Sequence, residues 1–392
     1  MTSIYKCSQM SASHISQSNA VDKTPLNFLD DLITAQKVKQ EPQELVLPTS
    51  NIHLTNDEKF KNEGIKILKN KQAAVMILAG GSATRLGAEV PKGAFQIGLD
   101  GFSCTYEVLI NQCKKLFEPE IIIMLSSATE SSIKFLEERD YFGYNKDKIH
   151  FVFQPEYPVI SETKQLLLDE HQNIQTSPNG NGGFLKAISK LNLPGVEYIH
   201  VVFVDNPFVK ILDPEMLGFA SINNFEVVNR VLQPKVGEKV GICGLRSIEA
   251  QQQAPLCSEK ITAANLLKKP CPAVFEYSEI DIQKIKPEEQ YANIGNHLFR
   301  TSFLKPLIDL QESTGTYITP YHLAHKKIPY FDAEQQKMVT PAELNAYKVE
   351  HFIFDYFHFC SVQQFGLFVC SRDEFCPIKE PKDIDEVKRL WK

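Results

Sequence analysis

The sequence predicts an α/β protein built on a doubly wound, mixed but mostly parallel sheet, with a small N-terminal helical region and a short C-terminal extension. Three observations carry this expectation. The apolar runs Ala73 to Leu78, Ile121 to Leu125 and Ile199 to Val204 are continuous rather than alternating, and short enough to be strands covered on both faces. Between the first two, Tyr106, Leu109, Ile110, Cys113, Leu116 and Phe117 recur at the spacing of an amphipathic helix. The alternation continues through the shorter strand-like segment Ile149 to Gln154, an order that argues for a parallel sheet with crossover helices.

Taken in order, residues 1–23 are polar and serine-rich and read as a leader without structure of its own. Thr24-Pro25 offers an N-cap and a first-turn proline for a helix bearing Leu26, Leu29, Leu32 and Ile33. A polar linker at Lys37 to Pro48 is followed by a second helical pattern, with Phe60, Ile65, Ile67 and Leu68, which leads into the strand at Ala73. Ser177 to Gly183 is dense in glycine and precedes the helix-like Phe184 to Leu191. Later strands are expected at Glu226 to Leu232, Lys239 to Leu245 and Ala273 to Ile280. Val349, Phe352, Ile353, Tyr356, Phe357 and Cys360 recur at helical spacing and read as core, and Ile384, Val387, Leu390 and Trp391 form a last helical face. The expected divisions are 1–60 for the leader and helical region, 61–330 for the catalytic domain and 331–392 for the C-terminal segment.

The chain has 392 residues and a formal net charge of -6, which argues against general affinity for nucleic acid or an anionic membrane. No apolar run is long enough to span a bilayer, and the first 25 residues lack the apolar stretch of a signal peptide. Nine cysteines without a CxxC pair fit reduced thiols, so a cytoplasmic location is expected.

Residues 78–93 read LAGGSATRLGAEVPKG. A strand that ends in two glycines exposes backbone amides to a phosphate, and Arg85 and Lys92 follow closely enough to neutralise the charge that a phosphoryl transfer moves. Neither the GxxxxGK of a Walker loop nor the GxGxxG of a dinucleotide fold is present. The glycines of Ser177 to Gly183 are best explained by the close approach of a flat ligand. Asp205 follows the strand-like run Ile199 to Val204 and is expected at the carboxyl end of a buried strand, where one carboxylate and phosphate oxygens together suit Mg²⁺.

The form LAGG-x-x-TRLG with PKG resembles the eukaryotic UDP-N-acetylhexosamine pyrophosphorylases, a family of sugar-1-phosphate nucleotidyltransferases. Further segments agree with it in order: P-x-G-N-G-G at Pro178 to Gly183, Glu276-Tyr277-Ser278-Glu279, Asn293-Ile294-Gly295-Asn296, and Arg372 to Lys379, which is similar to R-x-x-E-F-x-P-L-K. The resemblance implies a Rossmann-like nucleotidyltransferase fold and a reaction joining UTP and N-acetylglucosamine 1-phosphate into UDP-N-acetylglucosamine with release of pyrophosphate. It implies Leu78, Ala79, Gly80, Gly81, Gln154 and Gly180 as nucleotide-binding positions, with Gln154 reading the uracil edge. Asn181, Gly241, Glu276 and Asn293 fall in the sugar pocket, although the spacing also permits Asn296. Arg85, Lys92 and Lys379 become the phosphate-handling cations, and Asp205 the Mg²⁺ ligand. Other readings are a pyrophosphorylase for N-acetylgalactosamine or glucose 1-phosphate, and a sugar-nucleotide-binding regulator without turnover; the retained cations argue against the second.

Three departures from the family pattern bear on the site. Ala83 stands where glycine is usual, so either the loop keeps a negative φ there or nucleotide affinity suffers. Ser82 and Asn179 replace the common glutamine and aspartate. Relatives commonly carry a further domain after the lysine matched by Lys379, and its absence from this sequence leads to the expectation of a monomer.

Overall fold

The computed structural model describes Pro25, Leu29, Ile33 and residues 49–54, 56–235, 237–246, 270–276, 290–315 and 317–391. The expected leader, the linker at Lys37 to Pro48, Leu26 and Leu32 of the first helix, and Tyr277 to Glu279 lie outside the described residues. Pro25, Leu29 and Ile33 are helical, and Thr24, the expected N-cap, lies outside the described residues.

The chain divides into two compact units. The larger comprises Asp30–Pro155, Pro178–Leu323 and Glu350–Lys392 and holds every candidate site residue. Its sheet is built from β1 (Ile52–His53), β2 (Ala73–Leu78), β3 (Glu120–Leu125), β4 (Ile149–Phe153), β5 (Tyr198–Phe203), β6 (Val227–Leu232), β7 (Ile242–Arg246), β8 (Cys271–Phe275), β9 (Ala292–Arg300) and β10 (Phe365–Val369). The order is β1-β10-β6-β9-β5-β2-β3-β4, with β7 on β9 and β8 on β7. Along the main path only β9 runs against its neighbours, so the sheet is mixed but mostly parallel.

The continuous apolar runs have the cause expected of them. In β2, Ala73, Val75 and Ile77 enter one core while Met76 and Leu78 enter the other, and β3 divides in the same way. A strand covered on both faces has no polar side to alternate with. On the first face lie α1 (Glu58–Lys69) and α2 (Thr105–Lys114), followed in the chain by α3 (Ser131–Glu137). The second face carries α4 (Phe184–Ile188), while α5 (Pro214–Ile222) returns to the first. Asp57 caps α1 by accepting from the Lys59 and Phe60 amides, and Pro214 opens α5 at its first turn.

The aromatic stripe at 349–360 is core, but its geometry departs from expectation. Ile353–Phe359 is a 3₁₀ helix, not an α-helix, packed with α6 (Thr301–Thr314) on the second face. Aromatic and β-branched residues are poor α-helix formers, and the Asp355 carboxylate accepts from the Phe352 amide to close the tighter turn. The last helix, α7 (Pro381–Leu390), buries Val387, with Ile384 and the following Trp391 half-buried beside it, whereas Leu390, expected on the same face, is exposed. Every cysteine among the described residues is a free thiol. None of the described helices is long and apolar enough to cross a membrane.

The smaller unit comprises Met1–Leu29, Glu156–Ser177 and Ala324–Val349. Apart from the helical Pro25 and Leu29, its described part holds β-structure around Val159, Leu167, Ile328 and Ala346, with Tyr330–Asp332 and Lys337–Val339 forming one antiparallel hairpin.

Candidate functional site

The carboxyl edge of the sheet carries the first glycine loop. Val204 donates to the Leu78 carbonyl and Ala79 to the Met124 carbonyl, so the chain stays registered between β3 and β5 past the end of β2. The loop then folds on itself, with Lys92 N donating to Gly81 O at 3.0 Å and Ala83 N to Val90 O at 2.8 Å. Ala83 is fully buried with φ -88, so its methyl is accommodated at negative φ and the loop bears no left-handed strain there.

The two glycines differ in what they allow. A Cβ on Gly80 would lie 3.0 to 3.2 Å from the side-chain amide of Gln154, whereas one on Gly81 would meet only Lys92 Cδ at 3.7 Å. Gln154 is therefore laid against the glycine turn, and its backbone N–H donates to Leu125 O at 2.9 Å at the end of β3.

Lys92 Nζ and Asp205 Oδ2 form an ion pair of 3.3 Å, with side chains 21% and 17% exposed. Both line a small cleft with Thr105 and Ile378. Ile378 donates its amide to the Asp205 carbonyl at 2.8 Å, which brings the exposed Lys379 one residue from this pair. Arg85 is exposed on the 3₁₀ turn Thr84–Leu86 of the same loop. Among the described residues no group of three or more His, Cys, Asp or Glu side chains could enclose a metal ion. A single carboxylate suits a hard divalent cation that takes its other ligands from phosphate oxygens and water.

The second glycine loop is crowded by the protein itself. Gly180 has φ +83, and a Cβ there would lie 2.6 Å from the His351 carbonyl oxygen. On Gly182 a Cβ would be 2.7 Å from the His351 backbone, and on Gly183 it would be 2.2 Å from Asn179 Oδ1. Gly180 and Gly182 admit the His351 backbone and Gly183 the Asn179 side chain, contacts that account for these glycines without a ligand. Asn179 is fully buried and donates to the Tyr317 hydroxyl, while Asn181 Oδ1 accepts from Ile353 N.

Gly241, Glu276 and Asn293 come together where β8 ends and β7 and β9 begin. Asn293 N donates to Gly241 O at 2.8 Å, and a Cβ on Gly241 would be 3.5 Å from Glu276 Oε1. A register shift separates the two asparagines: Arg230 faces Asn296 while the next residue, Val231, faces Asn293. Asn296 is buried and bonded to His200 at 2.5 Å, leaving Asn293 as the partly exposed amide beside Glu276.

Several residues of this edge were given no role from the sequence, although Arg372 and Glu374 lie inside the segment Arg372 to Lys379. Asn206 donates to Glu374 O at 2.8 Å and accepts from Cys376 N and Phe208 N. Glu374 is buried and pairs with Arg230 at 2.6 Å and with Lys210 at 2.8 Å, while Arg230 also meets Asp213 at 2.9 Å. Burial opposes the charge on Arg230, but Asp213 and Glu374 outweigh it and hold the guanidinium above its ordinary value. Arg372 binds Glu238 through two nitrogens. The local signal was the Asn-Pro step after Asp205, but its partner lies 168 residues away.

The match to known proteins agrees with this architecture. Residues 26–243 match the family model described as UTP–glucose-1-phosphate uridylyltransferase. The chain is 31% identical over 376 residues to the UDP-N-acetylglucosamine pyrophosphorylase of Saccharomyces cerevisiae, covering 88% of this chain and 73% of the relative. In fold it is similar to the uridine diphosphate N-acetylglucosamine pyrophosphorylase of Trypanosoma brucei, with a TM-score of 0.72, 23% identity, and coverage of 93% of this chain and 75% of that one.

Proposed function

The chain belongs to the UTP–glucose-1-phosphate uridylyltransferase family, and from that premise we propose that it joins UTP and N-acetylglucosamine 1-phosphate, forming UDP-N-acetylglucosamine and releasing pyrophosphate. The single observation that carries the site assignment is the Lys92–Asp205 pair at the mouth of the glycine turn, with the Ile378-Lys379 step docked on the Asp205 carbonyl.

In this reading a phosphate oxygen of the sugar 1-phosphate attacks the α-phosphorus of UTP in line. The bond from that phosphorus to the β-phosphate bridging oxygen breaks, and pyrophosphate leaves with the electron pair. No protein nucleophile is needed, so the protein contributes positioning and charge neutralisation. Leu78, Ala79, Gly80 and Gly81 form the nucleotide floor, and Gln154 reads the uracil edge with a donor and an acceptor on one amide. Gly180 and Asn181 border the base and sugar, and Glu276, Asn293 and Gly241 receive the acetamido sugar. Lys92 and Arg85 face the triphosphate and the departing pyrophosphate, and Lys379 faces the sugar phosphate. Asp205 would hold a divalent cation, Mg²⁺ in this reading, which supplies further charge neutralisation at the triphosphate. A cytoplasmic, monomeric enzyme completes the proposal; the free thiols support the compartment, and light scattering checks the assembly.

Pyrophosphate release from UTP with a panel of sugar 1-phosphates, with and without Mg²⁺, tests the function. Release with N-acetylglucosamine 1-phosphate above the glucose and N-acetylgalactosamine esters, and only with the cation, is expected. Preference for another ester reassigns the sugar, and no release with any ester removes the activity.

A further inference from the structure

We propose that Asn206 is a positioning residue that sets Lys379 against Asp205. The inference rests on the reading in which Lys379 handles the sugar phosphate. Asp205 and Lys379 must act on one pair of substrates, yet they come from distant parts of the chain. Asn206 closes that gap with one side chain. Its Nδ2 donates to Glu374 O at 2.8 Å, and its Oδ1 accepts from Cys376 N at 3.2 Å and from Phe208 N at 3.3 Å. The amide is 5% exposed and these bonds engage both of its ends, so its orientation is determined and it acts through the backbone it holds.

The 374–378 segment is fixed from the other side as well. The Glu374 carboxylate lies between Arg230 and Lys210, and Ile378 N reaches the Asp205 carbonyl. Beyond this point Lys379 N and Glu380 N both donate to Asp383 at 2.8 Å, which starts α7, and the Lys379 side chain is exposed. Removing the Asn206 amide therefore frees the segment between two anchors that remain. The expected result is a shift of Lys379 relative to Asp205 without loss of the sheet.

A double-mutant cycle tests this. Asn206→Ala should lower kcat/KM for the sugar 1-phosphate by roughly 10- to 100-fold, the scale of a displacement near 1 Å, while KM for UTP changes by less than about threefold. In a Lys379→Ala background the same substitution should add less than about threefold, because the residue through which it acts is gone. Equal losses in both backgrounds, or a loss that falls equally on UTP, would overturn the coupling. Unchanged activity in Lys379→Ala alone would refute the role of the lysine itself, a separate failure. Should Asn206→Ala not fold, Asn206→Asp carries the same cycle, since it keeps the acceptor for Cys376 and loses the donor to Glu374.

Discussion

At the scale of single residues, the chemistry proposed here depends on charges whose geometry differs although their sequence context is shared. Lys92 is held 3.3 Å from Asp205 and mostly buried, whereas Arg85, seven residues earlier in the same loop, is exposed. A pre-positioned cation stabilises developing charge without reorganisation; a mobile one must first be ordered. Lys92→Ala should therefore lower turnover by on the order of 100-fold, the typical size of one oxyanion-type contact, and Arg85→Ala by less, with uridine nucleotide affinity changed little in either. Steady-state rates together with nucleotide titration check this; activity of Lys92→Ala within about threefold of the parent would remove the lysine from the phosphate site. The sequence made these cations legible because they sit in one short motif. It could not show that Asp205, 113 residues away, is the partner of Lys92, since an ion pair across a fold leaves no local pattern.

At the scale of elements, the strands were legible and the loops only half so. Runs such as Ile121 to Leu125 announce a strand buried on both faces, and the cores on either side of β3 supply the reason. The glycines of 180–183 announce a close approach but do not identify what approaches. The backbone of His351 does, and the left-handed φ of Gly180 adds a second constraint. The contrast with the first loop gives a prediction. An alanine at 180 would meet His351 O at 2.6 Å at φ +83, while one at 81 would make an ordinary contact at 3.7 Å. Gly180→Ala should cost roughly 2–5 kcal/mol of stability, combining the left-handed penalty with overpacking, and Gly81→Ala less than about 1 kcal/mol. Denaturant unfolding of the two variants measures the difference, and equal stabilities would show that the second loop is not clamped as described.

At the scale of the whole molecule, four neutral imidazoles are buried: His200 on β5, His297 on β9, His351 just before the 3₁₀ helix Ile353–Phe359 and His358 within it. Burial pushes His200 and His358 down to about 4 and His297 and His351 to about 3. The contacts agree with uncharged rings: His200 Nδ1 accepts from Leu212 N at 2.8 Å, leaving Nε2–H to donate to Asn296, and His297 is bonded to Asn229. No composition count foretells this, because a histidine in a sequence carries no mark of its burial. The consequence for stability has a definite sign. In the unfolded chain these rings titrate near 6.5, so above that pH both states are neutral and the histidines contribute no pH dependence. Below it the unfolded chain binds protons that the native protein refuses, and stability falls with pH through the window from about 6.5 to about 4. At pH 4.5 each ring favours the unfolded state by on the order of 1 kcal/mol or more, since each pKa unit is worth about 1.4 kcal/mol. Against the about 5–15 kcal/mol of a typical domain, four such rings should bring a marked acid destabilisation of the larger unit. Trp391, the single tryptophan, packs edge-on against Phe102 and Phe208 and provides a fluorescence signal for the transition. Ordinary carboxylates titrate near 4, so loss that begins near pH 6 belongs to the histidines. An unchanged denaturation midpoint between pH 6.5 and 4.5 would mean that these rings accept protons in the folded state and are less sealed than their burial indicates.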